Sequence, residues 1–339
     1  MTGGGTGGHL AIIQAVKAHL HHPKPIYIGS TQGQDRAWFE GDSAFEATYF
    51  FQTRGVVNQG LLGKLKSLWM VFRATLQALR LLRKHHASVV FSVGGFSSAP
   101  TALASKLLGI PLVIHEQNAA LGSLNRLLRP YATHFISSYL PDSPIQAYPI
   151  KEQFFAKARI RSRVDTIIFL GGSQGANAIN TLALDLAPTL HARGIKIIHQ
   201  AGEKHIDTVT QAYEALGIDA EVFGFTTTLD EKMAQADFAI ARSGASTLWE
   251  LSATALPTLF IPYPYAASDH QYHNAQFLVA QHLAWLIREA DLTPQTVLPL
   301  LDQDLTPISQ GLRHTIQRGG AQEIAELLSG YEEERGDIR

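Results

Sequence analysis

The strongest constraint on what this chain can fold into is a repeated unit: a short apolar run, a corner of small residues, then a longer stretch with helical spacing. Residues 26–30, 47–51, 89–93, 112–115, 134–137, 166–170, 196–200, 221–225, 238–241 and 258–262 read as strands. Several, such as Ile167-Ile168-Phe169-Leu170, are apolar throughout. Such runs suit parallel strands covered on both faces. Helical spacing lies between many of them, for example at 100–108, 177–193 and 247–255. The alternation predicts an α/β protein with doubly wound parallel sheets.

A length of 339 residues suits about two domains, at roughly 150 residues each. Residues 139–163 carry Pro141, Asp142, Ser143, Pro144 and Pro149 and then a charged stretch, and read as the linker. With 45% hydrophobic and 17% charged residues, the chain has material for a sizeable core and is not a disordered polymer. Its 28 basic and 29 acidic residues lack the basic excess of a nucleic-acid binder, so no nucleic-acid partner is expected. The absence of cysteine excludes disulfides, thiolate zinc sites and a thiol nucleophile. The start, MTGGGTGGHL, is not a secretory signal, and no apolar run of about 18 residues suggests a membrane span. The expectation is a cytosolic protein.

Four glycine corners follow. The first, Gly3-Gly4-Gly5-Thr6-Gly7-Gly8-His9, satisfies G-x-G-x-x-G, and its backbone donors with a following helix N-terminus suit pyrophosphate. A nicotinamide dinucleotide also needs an acid at the end of the next strand, and none appears before Asp35. The second is Gly94-Gly95-Phe96-Ser97-Ser98 and the third Gly171-Gly172-Ser173-Gln174-Gly175-Ala176. The fourth is Arg242-Ser243-Gly244-Ala245-Ser246-Thr247, with Glu250 one turn later, where a carboxylate can accept both hydroxyls of a ribose. One such corner is as often structural as functional; four argue for a phosphorylated ligand.

Two polar clusters, His115-Glu116-Gln117-Asn118 and Asp269-His270-Gln271 with His273 and Asn274, offer groups for sugar hydroxyls. His270 and His273 have helical spacing but no third ligand of clear spacing, so no metal is expected. Asp302-Gln303-Asp304 mimics the acidic triplet of metal-dependent glycosyltransferases but follows no convincing strand. The histidines at 19, 21, 22, 85 and 86 read as solvated helix-end residues.

Together, Thr2–Leu10, Val93–Leu128, Phe169–Ala176 and Ala241–Phe277 resemble the MurG family of peptidoglycan N-acetylglucosaminyltransferases, in order and across the whole chain. The resemblance implies a GT-B fold of two Rossmann-like domains facing a cleft. Their expected bounds are 1–145 on the acceptor and membrane side and 146–314 on the UDP-GlcNAc side, with a last helix at about 315–339 returning to the first domain. It implies inverting transfer of GlcNAc from UDP-GlcNAc to the muramyl 4-hydroxyl of lipid I, giving lipid II and UDP, with no metal and no cofactor. The expected place is the cytoplasmic face of the bacterial inner membrane, with an anionic lipid surface and other cell-wall synthesis and division proteins as further partners.

Carried over by position, Glu250 resembles the ribose carboxylate. Ser173, Ala245, Ser246 and Thr247 resemble uridine and phosphate contacts, and Gln271 a GlcNAc contact. Thr6, His9 and Asn118 resemble acceptor-side residues, with His9 as general base and Asn118 beside it as catalytic. Thr6, Gly7, Gly8, Asn118, Lys151, Gln174 and His270 complete the expected UDP-GlcNAc set. The chain departs from the family in four places. Only Met1-Thr2 stand where the family has a full first strand, which predicts a truncated central strand or an upstream start. Phe96 stands for a frequent Tyr, Lys151 for an arginine, and His270 for a Gln of some relatives.

Residues 61–84, LLGKLKSLWMVFRATLQALRLLRK, hold six basic residues and no acid. Leu65, Leu68, Trp69, Phe72, Leu76 and Leu79 fall on one helical stripe, expected mostly to pack in the core. An exposed edge with Lys64, Lys66, Trp69, Met70 and Arg73 would meet lipid. Competing readings are another UDP-sugar enzyme of the same fold, such as a UDP-GlcNAc 2-epimerase, a non-catalytic nucleotide-sugar-binding subunit, and a dehydrogenase.

Overall fold

The computed structural model describes residues 1–21, 23–53, 61–172 and 174–336. They form two units, Met1–Ile150 together with the segment from Gly319 onward, and Lys151–Arg318.

Unit 1 contains strands β1 (Ile26–Ser30), β2 (Ala47–Phe51), β3 (Val90–Ser92), β4 (Leu112–His115) and β5 (His134–Ile136). β1 pairs with β2, and β3, β4 and β5 pair in that order, all in parallel. Thr2 joins the two sets by bridging to Ile28 on one side and Ser92 on the other. Its amide donates to Phe91 O at 2.8 Å and its hydroxyl to Ile28 O at 2.7 Å. Val93 N donates back to Thr2 O at 3.0 Å. This one buried residue therefore holds the place of a middle strand.

The helices of unit 1 begin with α1 (Gly7–Lys17), α2 (Asp35–Phe39), α3 (Leu61–Lys84), α4 (Ala99–Leu108) and α5 (Ser123–Leu128). α1 buries Leu10, Ile12, Ile13 and Val16. The inward face of α3 differs from the expected one: of that stripe Leu79 alone among the described side chains packs against the core cluster, and the side chain of Leu65 lies outside the described residues. Ser67, Ala74, Thr75, Ala78 and Leu82 are buried, and Ala74 and Ala78 share a core cluster with Ala102 and Ala104 of α4. Leu68, Trp69, Phe72 and Leu76 stay 42–60% exposed, with the Trp69 and Phe72 rings stacked at 5.6 Å. Small side chains let α3 approach α4 closely, and the large ones are turned outward. The two stripes share one period and differ only in phase. A second correction concerns His85. Its ring lies 2.9 Å from Glu46 Oε1 and 2.8 Å from the Tyr49 hydroxyl, so it is tied down and not solvated. His22 lies outside the described residues.

Unit 2 is a six-stranded parallel sheet of β6 (Thr166–Leu170), β7 (Lys196–Gln200), β8 (Ala220–Phe223), β9 (Phe238–Ala241), β10 (Thr258–Phe260) and β11 (Trp285–Leu286). The spatial order is β11-β10-β9-β6-β7-β8. Only β11 has no counterpart among the expected strands; two paired residues leave no legible run. Its helices are α6 (Glu152–Ala156), α7 (Asn177–Ala192), α8 (Ile206–Ala215), α9 (Leu229–Gln235), α10 (Ala245–Ala253), α11 (His270–Val279), α12 (Pro294–Val297) and α13 (Thr306–Thr315). The last helix, α14 (Gly320–Gly336), packs on α1 in unit 1.

The core of unit 2 is built from Ile167 and Phe169 of β6, Ile179, Leu182 and Leu186 of α7, and Phe238 and Ile240 of β9. Arg161 is buried beside it, donating to the carbonyls of Ala236 (2.8 Å), Met233 (3.0 Å), Arg159 (2.9 Å) and Thr254. Burial and the neighbouring Arg159 charge push its pKa down to about 9, so it remains a cation at neutral pH, made tolerable by its carbonyl partners. Asp302 pairs with Arg193 and Asp304 accepts Thr306 N at 2.9 Å. The acidic triplet is structural.

Candidate active site

In open parallel sheets, ligands bind beyond the carboxyl ends of the strands where the order reverses direction. In unit 2 that reversal falls between β6 and β9, and the corners 171–176 and 242–247 follow those two strands. In unit 1 it falls between Thr2 and β3, and the corners 3–9 and 94–98 follow them. All four corners thus lie at reversal points.

The two corners of unit 1 touch through backbone. A Cβ on Gly95 would collide with the Gly4 carbonyl, and one on Gly3 with Val93 and Gly94. Only glycine allows that approach. Thr6 precedes α1, and its Oγ1 lies 2.9 Å from His9 Nδ1. Gln117 Nε2 lies 3.1 Å from His9 Nε2 and 3.3 Å from Nδ1, so two side chains hold the half-buried imidazole. His115 is buried behind it, with its ring edge-on to Tyr148 at 5.5 Å. Burial, and then the charge of His9, push the His115 pKa down to about 3, which makes it a neutral group at physiological pH and not an acid–base partner.

Glu116 organises the next loop. Its carboxylate accepts Asn118 N (3.0 Å), Gly122 N (2.9 Å) and Asn125 Nδ2 (3.0 Å), which sets the backbone from which Asn118 projects. Asp35 does the same for the first corner, accepting Gly5 N (2.7 Å) and Ser30 N (2.9 Å). In the sequence Asp35 stands out only as an acid too far along for a ribose contact. The available signal was an acid opening a helix two residues after Gly33, whose backbone lies against Gly5.

In unit 2 the third corner is braced by the loop after β7. A Cβ on Gly175 would strike the Ala201 carbonyl. That carbonyl accepts Asn180 Nδ2 at 3.1 Å, while Asn180 Oδ1 meets His199 Nε2 at 3.0 Å and His199 Nδ1 meets the Tyr213 hydroxyl at 3.0 Å. Burial pushes His199 down to about 4, so the chain runs through a neutral imidazole. Gln174 is exposed on the corner; Ser173 lies outside the described residues.

The fourth corner opens α10, whose first turn is Ala245-Ser246-Thr247, a set of backbone donors that no intrahelical carbonyl satisfies. Glu250 is half-buried, and its carboxylate has no hydrogen-bond partner among the described residues. Burial pushes its pKa up to about 7, against the pull of the Lys151 charge. The loop after β10 is tied by Arg242, which donates to Ile261 O and Pro262 O at 3.1 Å each and pairs with Glu289 at 2.7 Å. Asn274 Nδ2 donates to Ser243 O at 3.2 Å. Gln271 Oε1 accepts Tyr263 N at 2.9 Å, and His270 Nδ1 lies 2.8 Å from Ala267 O. Arg242 and Asn274 are positioning residues that their motifs did not announce. Among the described residues no three His, Asp or Glu side chains converge as metal ligands.

The expected site residues therefore divide. Thr6, Gly7, Gly8, His9 and Asn118 belong to unit 1, and Lys151, Gln174, Ala245, Ser246, Thr247, Glu250, His270 and Gln271 to unit 2.

Residues 1–137 match the glycosyltransferase family 28 N-terminal domain and residues 166–328 the family 28 C-terminal domain. A protein of Sulfurovum sp. (strain NBC37-1), described as a UDP-N-acetylglucosamine--N-acetylmuramyl-(pentapeptide) pyrophosphoryl-undecaprenol N-acetylglucosamine transferase, is 67% identical over 98% of both chains. The crystal structure of MurG from Acinetobacter baumannii superimposes with a TM-score of 0.81 at 26% identity, covering 97% of this chain and 98% of that one. A Listeria monocytogenes protein described as a UDP-N-acetylglucosamine 2-epimerase shares the fold, with a TM-score of 0.63 at 11% identity over 98% and 96% of the chains.

Proposed function

This chain belongs to glycosyltransferase family 28, and from that premise we propose how its residues share the work. It is a GT-B glycosyltransferase that moves GlcNAc from UDP-GlcNAc to the MurNAc of an undecaprenyl-pyrophosphoryl-MurNAc-pentapeptide, the reaction of peptidoglycan synthesis. The single observation that carries the donor assignment is Glu250. A half-buried carboxylate with no hydrogen-bond partner among the described residues, one turn into a helix whose N-terminus faces the reversal point, has the chemistry to accept two ribose hydroxyls while the helix donors meet phosphate.

On this reading unit 2 holds the donor. Ala245, Ser246 and Thr247 supply backbone donors to the diphosphate, Lys151 supplies a positive charge near it, and Gln271 and His270 meet the sugar. Stabilising the departing UDP with fixed donors and a cation is electrostatic catalysis that needs no reorganisation at the moment of bond breaking. Unit 1 holds the acceptor. His9, oriented by Thr6 and Gln117, takes the proton from the 4-hydroxyl as it attacks the anomeric carbon from the face opposite UDP, giving inversion. Asn118 hydrogen-bonds the acceptor sugar.

No helix of the described residues is long and apolar enough to cross a membrane. The lipid-linked acceptor is reached instead by peripheral docking on the inner face of the plasma membrane. The outward face of α3 supports this, with Leu68, Trp69, Phe72 and Leu76 exposed beside the exposed Lys66 and Arg73 and the half-buried Met70. The side chain of Lys64 lies outside the described residues.

The test is transfer of labelled GlcNAc from UDP-GlcNAc to a short-chain lipid I analogue by the purified protein. Disaccharide product that forms only when the acceptor is present is expected. Isomerised or released sugar from UDP-GlcNAc alone would favour the epimerase, and no turnover would favour a binding subunit.

A further inference from the structure

We propose that Asp35 is a positioning residue for the acceptor half of the reaction, acting through the loop Gly3–Thr6 on His9. The proposal rests on the reading of His9 as an acceptor-side residue. Asp35 is fully buried, with Oδ2 accepting Gly5 N at 2.7 Å and Oδ1 accepting Ser30 N at 2.9 Å. The Tyr27 hydroxyl, also buried, lies 2.8 Å from Gly3 O and 3.0 Å from Asp35 Oδ1, one proton shared between two acceptors. Burial and the Asp35 charge hold that phenol well above its ordinary range, so it is a permanent donor. Gly3 and Gly5 are thus tied at the two ends of the corner by one linked pair of side chains.

The corner needs such a tie. Gly3 and Gly5 have φ of +118° and +88°, and glycine has many backbone conformations of similar energy. Gly5 is followed directly by Thr6, whose hydroxyl touches the His9 ring. Fixing Gly5 N therefore fixes the origin of α1 and the place of the imidazole. The same bond changes what the corner can bind. Gly5 N–H points at a buried carboxylate and is not available to a phosphate, so the literal G-x-G-x-x-G reading fails at its second glycine.

Asn at position 35 separates these roles. Its carbonyl oxygen can still accept Ser30 N and the Tyr27 hydroxyl, while its amide nitrogen would face Gly5 N–H, donor against donor. Asp35→Asn therefore releases Gly5 and keeps the rest. The experiment compares wild type, Asp35→Asn, His9→Ala and the double variant by steady-state kinetics with both substrates varied, together with amide hydrogen exchange at Gly5. The expected result for Asp35→Asn is faster Gly5 exchange and a loss of about 10- to 100-fold in kcat/KM for the acceptor, because misplacement by about 1 Å can cost about 100-fold. The donor KM should stay within about twofold, and the double variant should be no slower than His9→Ala, since a residue acting through another adds nothing once that one is gone. Unchanged Gly5 exchange with wild-type kinetics, or equal losses on donor and acceptor, would overturn the proposal. A double variant far slower than His9→Ala would also overturn it. If His9→Ala is fully active, the base assignment falls; if His9→Ala is slow while Asp35→Asn is not, the positioning role falls and the base assignment stands.

Discussion

The loops at the reversal points of the two units are held in opposite ways. In unit 1 most ties are carboxylates that accept backbone N–H groups: Asp35 takes Gly5 and Ser30, and Glu116 takes Asn118 and Gly122, while the Tyr27 hydroxyl, which donates to Gly3 O, is the exception. In unit 2 most ties are cations and amides that donate to carbonyls: Arg242 to Ile261 and Pro262, Asn274 to Ser243, Asn180 to Ala201. Gln271, which accepts Tyr263 N, is the exception. A carboxylate tie spends N–H donors and leaves negative charge behind the loop. A cationic tie spends carbonyls, leaving N–H groups and positive charge for a nucleotide diphosphate. On the proposed reading, the division of donor and acceptor between the units follows which backbone group each scaffold consumes.

The largest effect should come from removing the proposed acceptor-side base. His9→Ala is expected to lower kcat by about 100-fold or more, the scale of a lost general base, with donor KM unchanged. A normal kcat with a raised acceptor KM would leave His9 as a binding group only, and the two units would differ in ligand but not in chemistry.

Next in size is the scaffold itself. Glu116→Gln puts an amide against donors that a carboxylate satisfied, and an unpaired buried donor costs about 1–3 kcal/mol. Thermal stability and acceptor affinity should both fall while UDP affinity holds. Loss of UDP affinity in this variant would contradict the separation.

A smaller, pH-dependent effect belongs to unit 2. Glu250 has a pKa of about 7, raised from 4.5 in an exposed chain, so the folded form binds the extra proton. Its contribution to stability is present below about pH 4.5 and is lost as pH rises through 7. Glu250→Gln should therefore raise the melting temperature at pH 8 and have less effect at pH 5. Ribose hydroxyls need the charged form, so wild-type donor KM should fall between pH 6 and 8, and that slope should vanish in Glu250→Gln. A donor KM that is flat with pH in the wild type would remove Glu250 from the nucleotide site.

The smallest effect concerns the lipid surface. Lys66→Gln with Arg73→Gln should weaken binding to anionic vesicles by about 1 kcal/mol per charge, in a salt-dependent way, and leave neutral vesicles unaffected. Co-sedimentation measures it. Equal loss on both vesicle types would point to the apolar face of α3 alone.

Much of this was legible before any coordinates. Continuous apolar runs such as Ile167–Leu170 become central strands because burial on both faces leaves no polar position, and strand-end glycines marked the corners. What was hidden had a physical reason in each case. The inward face of α3 is not legible from periodicity because two stripes share a period, and close packing on α4 selects the smaller side chains over the more apolar ones. Thr2 could not be read as a strand because a single residue has no pattern. Asp35, Glu116 and Arg242 are obscure as scaffolds because their partners are backbone atoms, 5 and 30, 2 and 6, and 19 and 20 residues away, and a sequence lists side chains and not carbonyls or amides.

The most direct test of the division between the units is calorimetric titration of UDP, without any acceptor, into wild type, Glu250→Ala and His9→Ala. Glu250→Ala removes hydrogen bonds to a charged acceptor worth about 1.5–3 kcal/mol each, so its Kd for UDP should rise by about 10-fold or more. His9→Ala should bind UDP as the wild type does. Wild-type affinity in Glu250→Ala, or weakened binding in His9→Ala, would contradict the assignment of the nucleotide to unit 2.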